Sequence, residues 1–291
     1  MQQNIYVCTF ANINLLPSSL RFLSQATNMG IFTDILLYNE YNLDLRFKQR
    51  LGDKFYQKND GGGGVKPTRG FGYWCWKPQV ILQSLEQMND NDWLIYADSG
   101  CEFIHNQGKN LLEKLQILKN HDIVGFRLGG LLEKQWTKGD IFAHFGVLDN
   151  PKFIESPQIK ATAIFMKKSP FTLQLINEWL EIIYNHFYLV DDSPSITPNY
   201  PEFRENRHDQ SIFSMLMKKY DCFTYKDYKP AEYGLSDSRK KQAISDFISR
   251  KDMQASVTVS KVLGKIYPSK QKRRDFRSFH DNVIHLQNLF R

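Results

Sequence analysis

Asp98 stands where an apolar run stops. Residues 93–102 read WLIYADSGCE: a stretch fit for a buried strand, then a carboxylate, a serine and a glycine. A carboxylate delivered at the C-terminal end of a strand, beside a glycine, can hold a divalent cation against a phosphate. Such a cation keeps phosphate oxygens and waters among its ligands, so one or two protein carboxylates suffice. Aspartate after a strand is also a common turn or cap residue. The C-terminal edge of a parallel sheet is where open α/β folds bind ligands, which makes Asp98 the first candidate.

Three further segments carry candidate chemistry. Residues 69–78 (RGFGYWCWKP) crowd aromatic rings between glycines and end on Lys-Pro. Gly70 and Gly72 let backbone approach a ligand. Arg69 and Lys77 suit a pyrophosphate, Lys77 because it sits near the positive end of a helix opening at Pro78. Trp74 or Trp76 can stack on a base or sugar ring, although part of this cluster must be core. Residues 204–211 (RENRHDQS) place His208 and Asp209 at a helix start. His208 suits a metal or a phosphate. Asp209 suits a helix cap, a general base or the grip on an acceptor hydroxyl. Residues 133–140 (EKQWTKGD) offer Glu133, Trp136, Lys138 and Asp140 as an acceptor pocket or, equally, a solvated loop. The glycine run 61–64 lacks the Gly-Lys-Ser/Thr of a phosphate loop and follows a polar stretch, so it reads as a linker or lid.

The elements that must position these groups follow from apolar patterning. Strands are expected at 5–10, 34–38, 93–97, 123–127, 158–167 and 222–225. Helices are expected from 17–19 onward and at 41–58, 78–88, 111–120, 170–187 and 209–219, with a loop at 190–200. Strand, helix and strand in close succession imply a mostly parallel sheet flanked by helices. A length of 291 residues fits one domain with an appendage, and we expect a domain at 1–230 and a basic, helical extension at 231–291. The charge supports that division. Residues 239–291 hold 13 Lys and Arg against 4 Asp and Glu, a net of +9, whereas the preceding residues sum to −2. The first ten residues do not read as a secretory leader. Cys8, Cys75, Cys101 and Cys222 are scattered without a CxxC pair, which points to reduced thiols in the cytoplasm rather than to a disulfide framework or zinc site.

Taken together, FGYWCWKP, LIYADSGCE, EKQWTK and RHDQSIFSML resemble bacterial glycosyltransferases of the GT-A type found with capsule and lipopolysaccharide genes. The resemblance spans residues 5–225. It implies a GT-A-like, Rossmann-type nucleotide-binding half and an acceptor-binding half. It also implies a DxD-type motif that binds a divalent metal, Mn²⁺ or Mg²⁺, and the donor pyrophosphate. Asp98 then stands for the first carboxylate, with Ser99 beside it, and His208 for the late metal-side histidine. Thr9 and Phe10 fall near the base, and Arg69, Trp76 and Lys77 complete the donor site. Trp136 and Lys138 fall to the acceptor. Asp209 is the first candidate base, with Asp140 and Glu133 behind it, if the reaction inverts. The motif departs from the family in reading Asp-Ser-Gly, without a second aspartate. Either His208 completes the metal site or cationic side chains take the metal's place.

The implied function is sugar transfer from a nucleotide-sugar donor to a saccharide or lipid-linked saccharide in surface polysaccharide synthesis. Two alternatives stay open. A sugar nucleotidyltransferase would show a glycine-rich basic loop after the first strand, where this chain has ANINLLPSS. A catalytically silent carbohydrate-binding protein would keep the fold without turnover. The basic tail suits either a solvated helix or peripheral contact with the inner face of an anionic membrane. No nucleic-acid recognition motif accompanies it.

Overall fold

The fold is built on apolar runs that alternate between two faces. The computed structural model describes residues 3–58, 64–226 and 230–238. Seven strands form the central sheet: β1 (Ile5–Phe10), β2 (Asp34–Tyr38), β3 (Trp93–Ala97), β4 (Ile123–Leu132), β5 (Pro157–Ile159), β6 (Ala163–Lys167) and β7 (Phe223–Tyr225). Their order is β7-β4-β6-β3-β1-β2, with β5 against β4. β2, β1, β3, β4 and β7 run one way, and β6 and β5 run the other. The sheet is therefore mainly parallel, with one reversed strand near its middle.

Strand periodicity decides which helix each residue meets. In β3, Leu94 and Tyr96 join one apolar layer, and Trp93, Ile95 and Ala97 join the other. The first layer is closed by α2 (Lys77–Glu86), α3 (Pro170–Asn185) and α4 (Asp209–Lys219), through Val80, Ile81, Leu175, Trp179, Ile212 and Phe213. The second is closed by α1 (Leu16–Met29) and the helix Gly108–Leu115, through Phe22, Ala26, Leu111 and Leu115. β3 is buried on both faces, as expected of a central parallel strand with helices on either side. Local signals open and close the helices: Ser169 Oγ accepts from the Thr172 N–H at the start of α3, and Gly30 at φ 68° ends α1.

Four expectations need correction. Residues 41–58 are not one helix: Leu45–Leu51 is helical, a 3₁₀ turn follows, and Tyr56–Lys58 pairs with Val65–Pro67. The strand expected at 158–167 breaks between Ile159 and Ala163, because its two halves pair with different registers along β4 and with β3. Residues 133–140 are not a solvated loop but the short helices Glu133–Trp136 and Gly139–His144, largely buried. The domain also runs past residue 230. Leu235–Ser236 pairs antiparallel with Glu102–Phe103, and Tyr233 and Leu235 enter the second apolar layer. The helical expectation for the tail and the glycine run at 61–63 lie outside the described residues. All four cysteines are free. No described helix is long and apolar enough to cross a membrane.

Candidate active site

The segment before α2 takes an unusual path. Gly70, Phe71, Gly72, Tyr73 and Trp74 all have positive φ, from 53° to 87°. This is one turn of left-handed helix, and each non-glycine residue in it costs about 1–2 kcal/mol. Glycine is needed at position 72, where a β-carbon would come within 2.7 Å of the Phe55 ring. Thr68 anchors the turn: its carbonyl accepts from Phe71 N–H and its Oγ1 from Gly72 N–H. The Phe71 ring stacks on Phe55 with centroids 4.6 Å apart. The strained turn is thus held by packing at its base. It leaves Trp74 on the wall of a cleft and sends Lys77 inward from the first turn of α2.

Because β6 runs against β3, its start lies beside the end of β3, and Asp98 N–H donates to Thr162 O. Lys77 reaches this edge with a side chain only 3% exposed. Its Nζ lies 2.7 Å from Asp209 Oδ2 and 3.4 Å from Asp98 Oδ1, and donates to Ala161 O at 3.0 Å. The Tyr96 hydroxyl donates to the same Asp98 oxygen at 2.6 Å. Burial alone would lower the lysine's pKa, but Asp209 and Asp98 outweigh it and hold Lys77 above its usual value. Burial pushes the Asp209 carboxyl up to about 6, against the pull of Lys77 and with the repulsion of Asp98.

His208 precedes α4 at φ 55°, ψ −123°. Its Nδ1 lies 2.6 Å from Val190 O. A carbonyl only accepts, so Nδ1 carries the proton and Nε2 keeps its lone pair in the neutral ring. Burial lowers the His208 pKa. Nε2 is buried without a hydrogen-bond partner among the described residues, 3.8 Å from Asp192 Oδ1. Tyr73 and Trp74 pack against the ring.

These elements enclose a cleft of about 200 Å³. Arg69, Lys77 and Arg207 bring positive charge to it, and Asp98, Asp209 and Asp237 negative charge. Arg69 is half exposed and pairs with Glu205 at 3.0 Å and Asp192 at 3.6 Å. Arg207 lies 4.2 Å from the centre of the Trp136 ring. Asp237 had no signal of its own in the sequence. It arrives because Leu235, an apolar residue in a polar stretch, pins the chain back across Phe103, and it pairs there with Lys160.

The structure brings Arg69, Trp74, Lys77, Asp98, His208 and Asp209 together in this cleft, and leaves Thr9, Phe10, Trp76, Ser99, Glu133, Trp136, Lys138 and Asp140 outside its lining. Phe10 and Trp76 stack on each other at 4.0 Å, and Trp76 is 4% exposed, so the aromatic ring available to a ligand is Trp74. Thr9 is fully buried, and its Oγ1 has no hydrogen-bond partner among the described residues. Ser99 is buried and its carbonyl accepts from Arg21. Glu133 is fully buried, held by Thr137, Ser214 and Lys218, so it is a structural anion rather than a base. Asp140 accepts from Ile196 and Thr197 N–H. Burial would raise its pKa, but those N–H groups prevail and hold it below the usual range. Lys138 is buried, donating to Tyr188 O and facing Asp191. Trp136 is covered by Arg204 and Arg207. Trp136, Lys138 and Asp140 thus hold the 188–207 segment, and Glu133 holds the 214–218 stretch of α4.

The expected metal fits this arrangement poorly. One Asp98 oxygen already receives the Tyr96 hydroxyl and the Lys77 ammonium. No group of three or more His, Cys, Asp or Glu side chains among the described residues is placed to hold a metal ion.

No protein-family model and no curated protein sequence matches the chain. Several solved structures are similar at low scores. Mouse xyloside xylosyltransferase 1 aligns at 10% identity over 78% of this chain and 85% of its own, with a TM-score of 0.39. A glycosyltransferase involved in glycosylating the major capsid of PBCV-1 aligns at 8% identity over 78% and 82%, with a TM-score of 0.41. The 4-diphosphocytidyl-2C-methyl-D-erythritol synthase of Anaerococcus prevotii aligns at 12% identity over 85% and 96%, with a TM-score of 0.37.

Proposed function

We propose that the protein is a glycosyltransferase that moves a sugar from a nucleotide-sugar donor onto a saccharide or lipid-linked saccharide, as in capsule or lipopolysaccharide synthesis. The reading rests on one observation. Motifs far apart in sequence meet in one cleft at the C-terminal edge of β3, with carboxylates on its floor and arginines on its wall. In this reading a base or sugar ring stacks on Trp74. Arg69 and Arg207 face the diphosphate and take up the charge that grows on it as the glycosidic bond breaks. The acceptor oxygen attacks the anomeric carbon, the bond from that carbon to the diphosphate oxygen breaks, and the acceptor proton passes to Asp209. Burial has brought the Asp209 carboxyl to about 6, within range of base work near neutral pH.

A second reading has an observation in its favour. Lys77 pairs with both Asp98 and Asp209, an arrangement that a silent carbohydrate-binding protein would also tolerate. Nucleoside diphosphate release from a panel of nucleotide sugars separates the two. Wild type should release the diphosphate from one donor, and Asp209→Asn should lower that rate by about 10²-fold or more while still binding nucleotide. Saccharide binding without release by any donor would support the silent protein instead.

A further inference from the structure

We propose that Lys77 is the built-in counter-cation of this cleft: its ammonium occupies the place between Asp98 and Asp209 where a divalent ion was expected, so that a nucleoside diphosphate binds without metal. The inference rests on the donor-site reading above and specifies what that site requires.

Three observations carry it. First, the ammonium has the surroundings of a bound cation. Three oxygens, two of them anionic, lie within 3.4 Å of its Nζ: Asp209 Oδ2 at 2.7 Å, Asp98 Oδ1 at 3.4 Å, and Ala161 O, to which it donates at 3.0 Å. Second, the position is fixed. The side chain is 3% exposed, its backbone lies in the first turn of α2 with Pro78 next to it, and its Nζ lies 5.3 Å from the centre of the Tyr96 ring. A buried ammonium so held does not swing aside to admit a second cation. Third, the charge is already balanced to within one unit. Asp98, Asp209 and Lys77 together leave one negative charge, Asp237 is paired with Lys160, and Arg69 and Arg207 stand on the wall to meet the diphosphate. A divalent ion would have to share Asp98 with an ammonium within a few ångströms, in a setting where like charges repel strongly. The second aspartate missing from Asp-Ser-Gly is consistent with this. Asp209 supplies the second carboxylate from α4, and the lysine supplies the positive charge.

The test is direct. Binding of UDP, GDP and CDP to the wild-type chain is measured calorimetrically in EDTA and again in Mn²⁺, and Mn²⁺ uptake is followed by electron paramagnetic resonance. The affinity for whichever nucleotide binds should agree between the two conditions to within about twofold, and wild type should take up no Mn²⁺ in an Asp98-dependent way. Lys77→Ala leaves two facing carboxylates without a cation. It should gain Mn²⁺ uptake by about tenfold or more over wild type, and lose it again when Asp98→Asn is added. A wild-type affinity that falls about tenfold or more on chelation, or wild-type Mn²⁺ uptake abolished by Asp98→Asn, would overturn the proposal. So would a folded Lys77→Ala protein that takes up no Mn²⁺. If Lys77→Ala does not fold, the wild-type measurements decide. If none of the nucleotides binds in either condition, the donor reading fails, and Mn²⁺ uptake by wild type and Lys77→Ala still settles the role of the lysine.

Discussion

Burial sets what each charged group near the cleft can do. Asp209 is buried against Lys77, which also pairs with Asp98, and burial pushes the Asp209 carboxyl up to about 6. If it takes the acceptor proton, it must be ionised, so activity rises with pH through about 6. Removing the positive charge with Lys77→Met raises the Asp209 pKa further and moves the acid limb of the kcat/KM profile to higher pH. An acid limb that stays put in that variant would assign it to another group. Glu133 illustrates the opposite fate. It is fully buried against Lys218, and Glu133→Ala should cost about 3–5 kcal/mol in urea unfolding by stranding that ammonium. The two tryptophans of the 69–78 segment should separate cleanly. Trp76→Ala removes a core ring stacked on Phe10 and should cost about 3–5 kcal/mol of stability. Trp74→Ala should leave stability nearly unchanged by comparison and weaken nucleotide binding by about 1–3 kcal/mol, read by calorimetry. These outcomes would be exchanged if Trp76 were the stacking platform.

At the scale of the element, the left-handed turn 70–74 decides where Trp74 and Lys77 point. The glycines at 70 and 72 announce an unusual backbone. They do not announce that Phe71, Tyr73 and Trp74 share it, because L-residues avoid positive φ and local sequence carries no signal for it. Gly72→Ala should cost roughly 2–4 kcal/mol, since its β-carbon meets the Phe55 ring and its φ of 87° suits only glycine. Gly129→Ala is the control: a β-carbon there meets nothing within 4 Å. Equal thermal shifts for the two variants would mean that the turn is not needed for the fold. The apolar strand ending at Asp98 was legible because burial on both faces leaves a continuous hydrophobic run. The helix after Asp209 was legible from its apolar periodicity, although Asp209 turns to Lys77 and no side chain caps the helix start. The Lys77–Asp209 pair was not, because nothing local in either segment names its partner. The burial of residues 133–140 away from the cleft was not legible for a related reason. Glu133, Lys138 and Asp140 are polar, yet each is buried against a partner supplied by a distant segment.

For the whole molecule, the question is where the fold ends and where the basic segment begins. Composition suggested a boundary near 230, since the chain there turns polar and basic. The boundary moves because a few apolar residues suffice to bind a strand: Tyr233 and Leu235 are buried, and Leu235 sits opposite Phe103. A chain ending at Lys226 should therefore lose about 3–6 kcal/mol, the burial of two large side chains, whereas one ending at Ser238 should unfold with the full-length chain. The chain ending at Lys226 also deprives the cleft of Asp237, which pairs with Lys160. Ending the chain at Ser238 isolates the charge. It removes a net +9 and leaves a chain of −2, so it separates the fold from the electrostatics. Basic residues close to an anionic bilayer contribute about 1 kcal/mol each, an attraction that salt screens. Full-length protein should therefore sediment with vesicles containing phosphatidylserine at low salt and be released at high salt. The chain ending at Ser238 should stay in solution while binding nucleotide as the full-length protein does. Equal sedimentation of the two would place the membrane contact on residues 1–238 and leave the basic segment without that role.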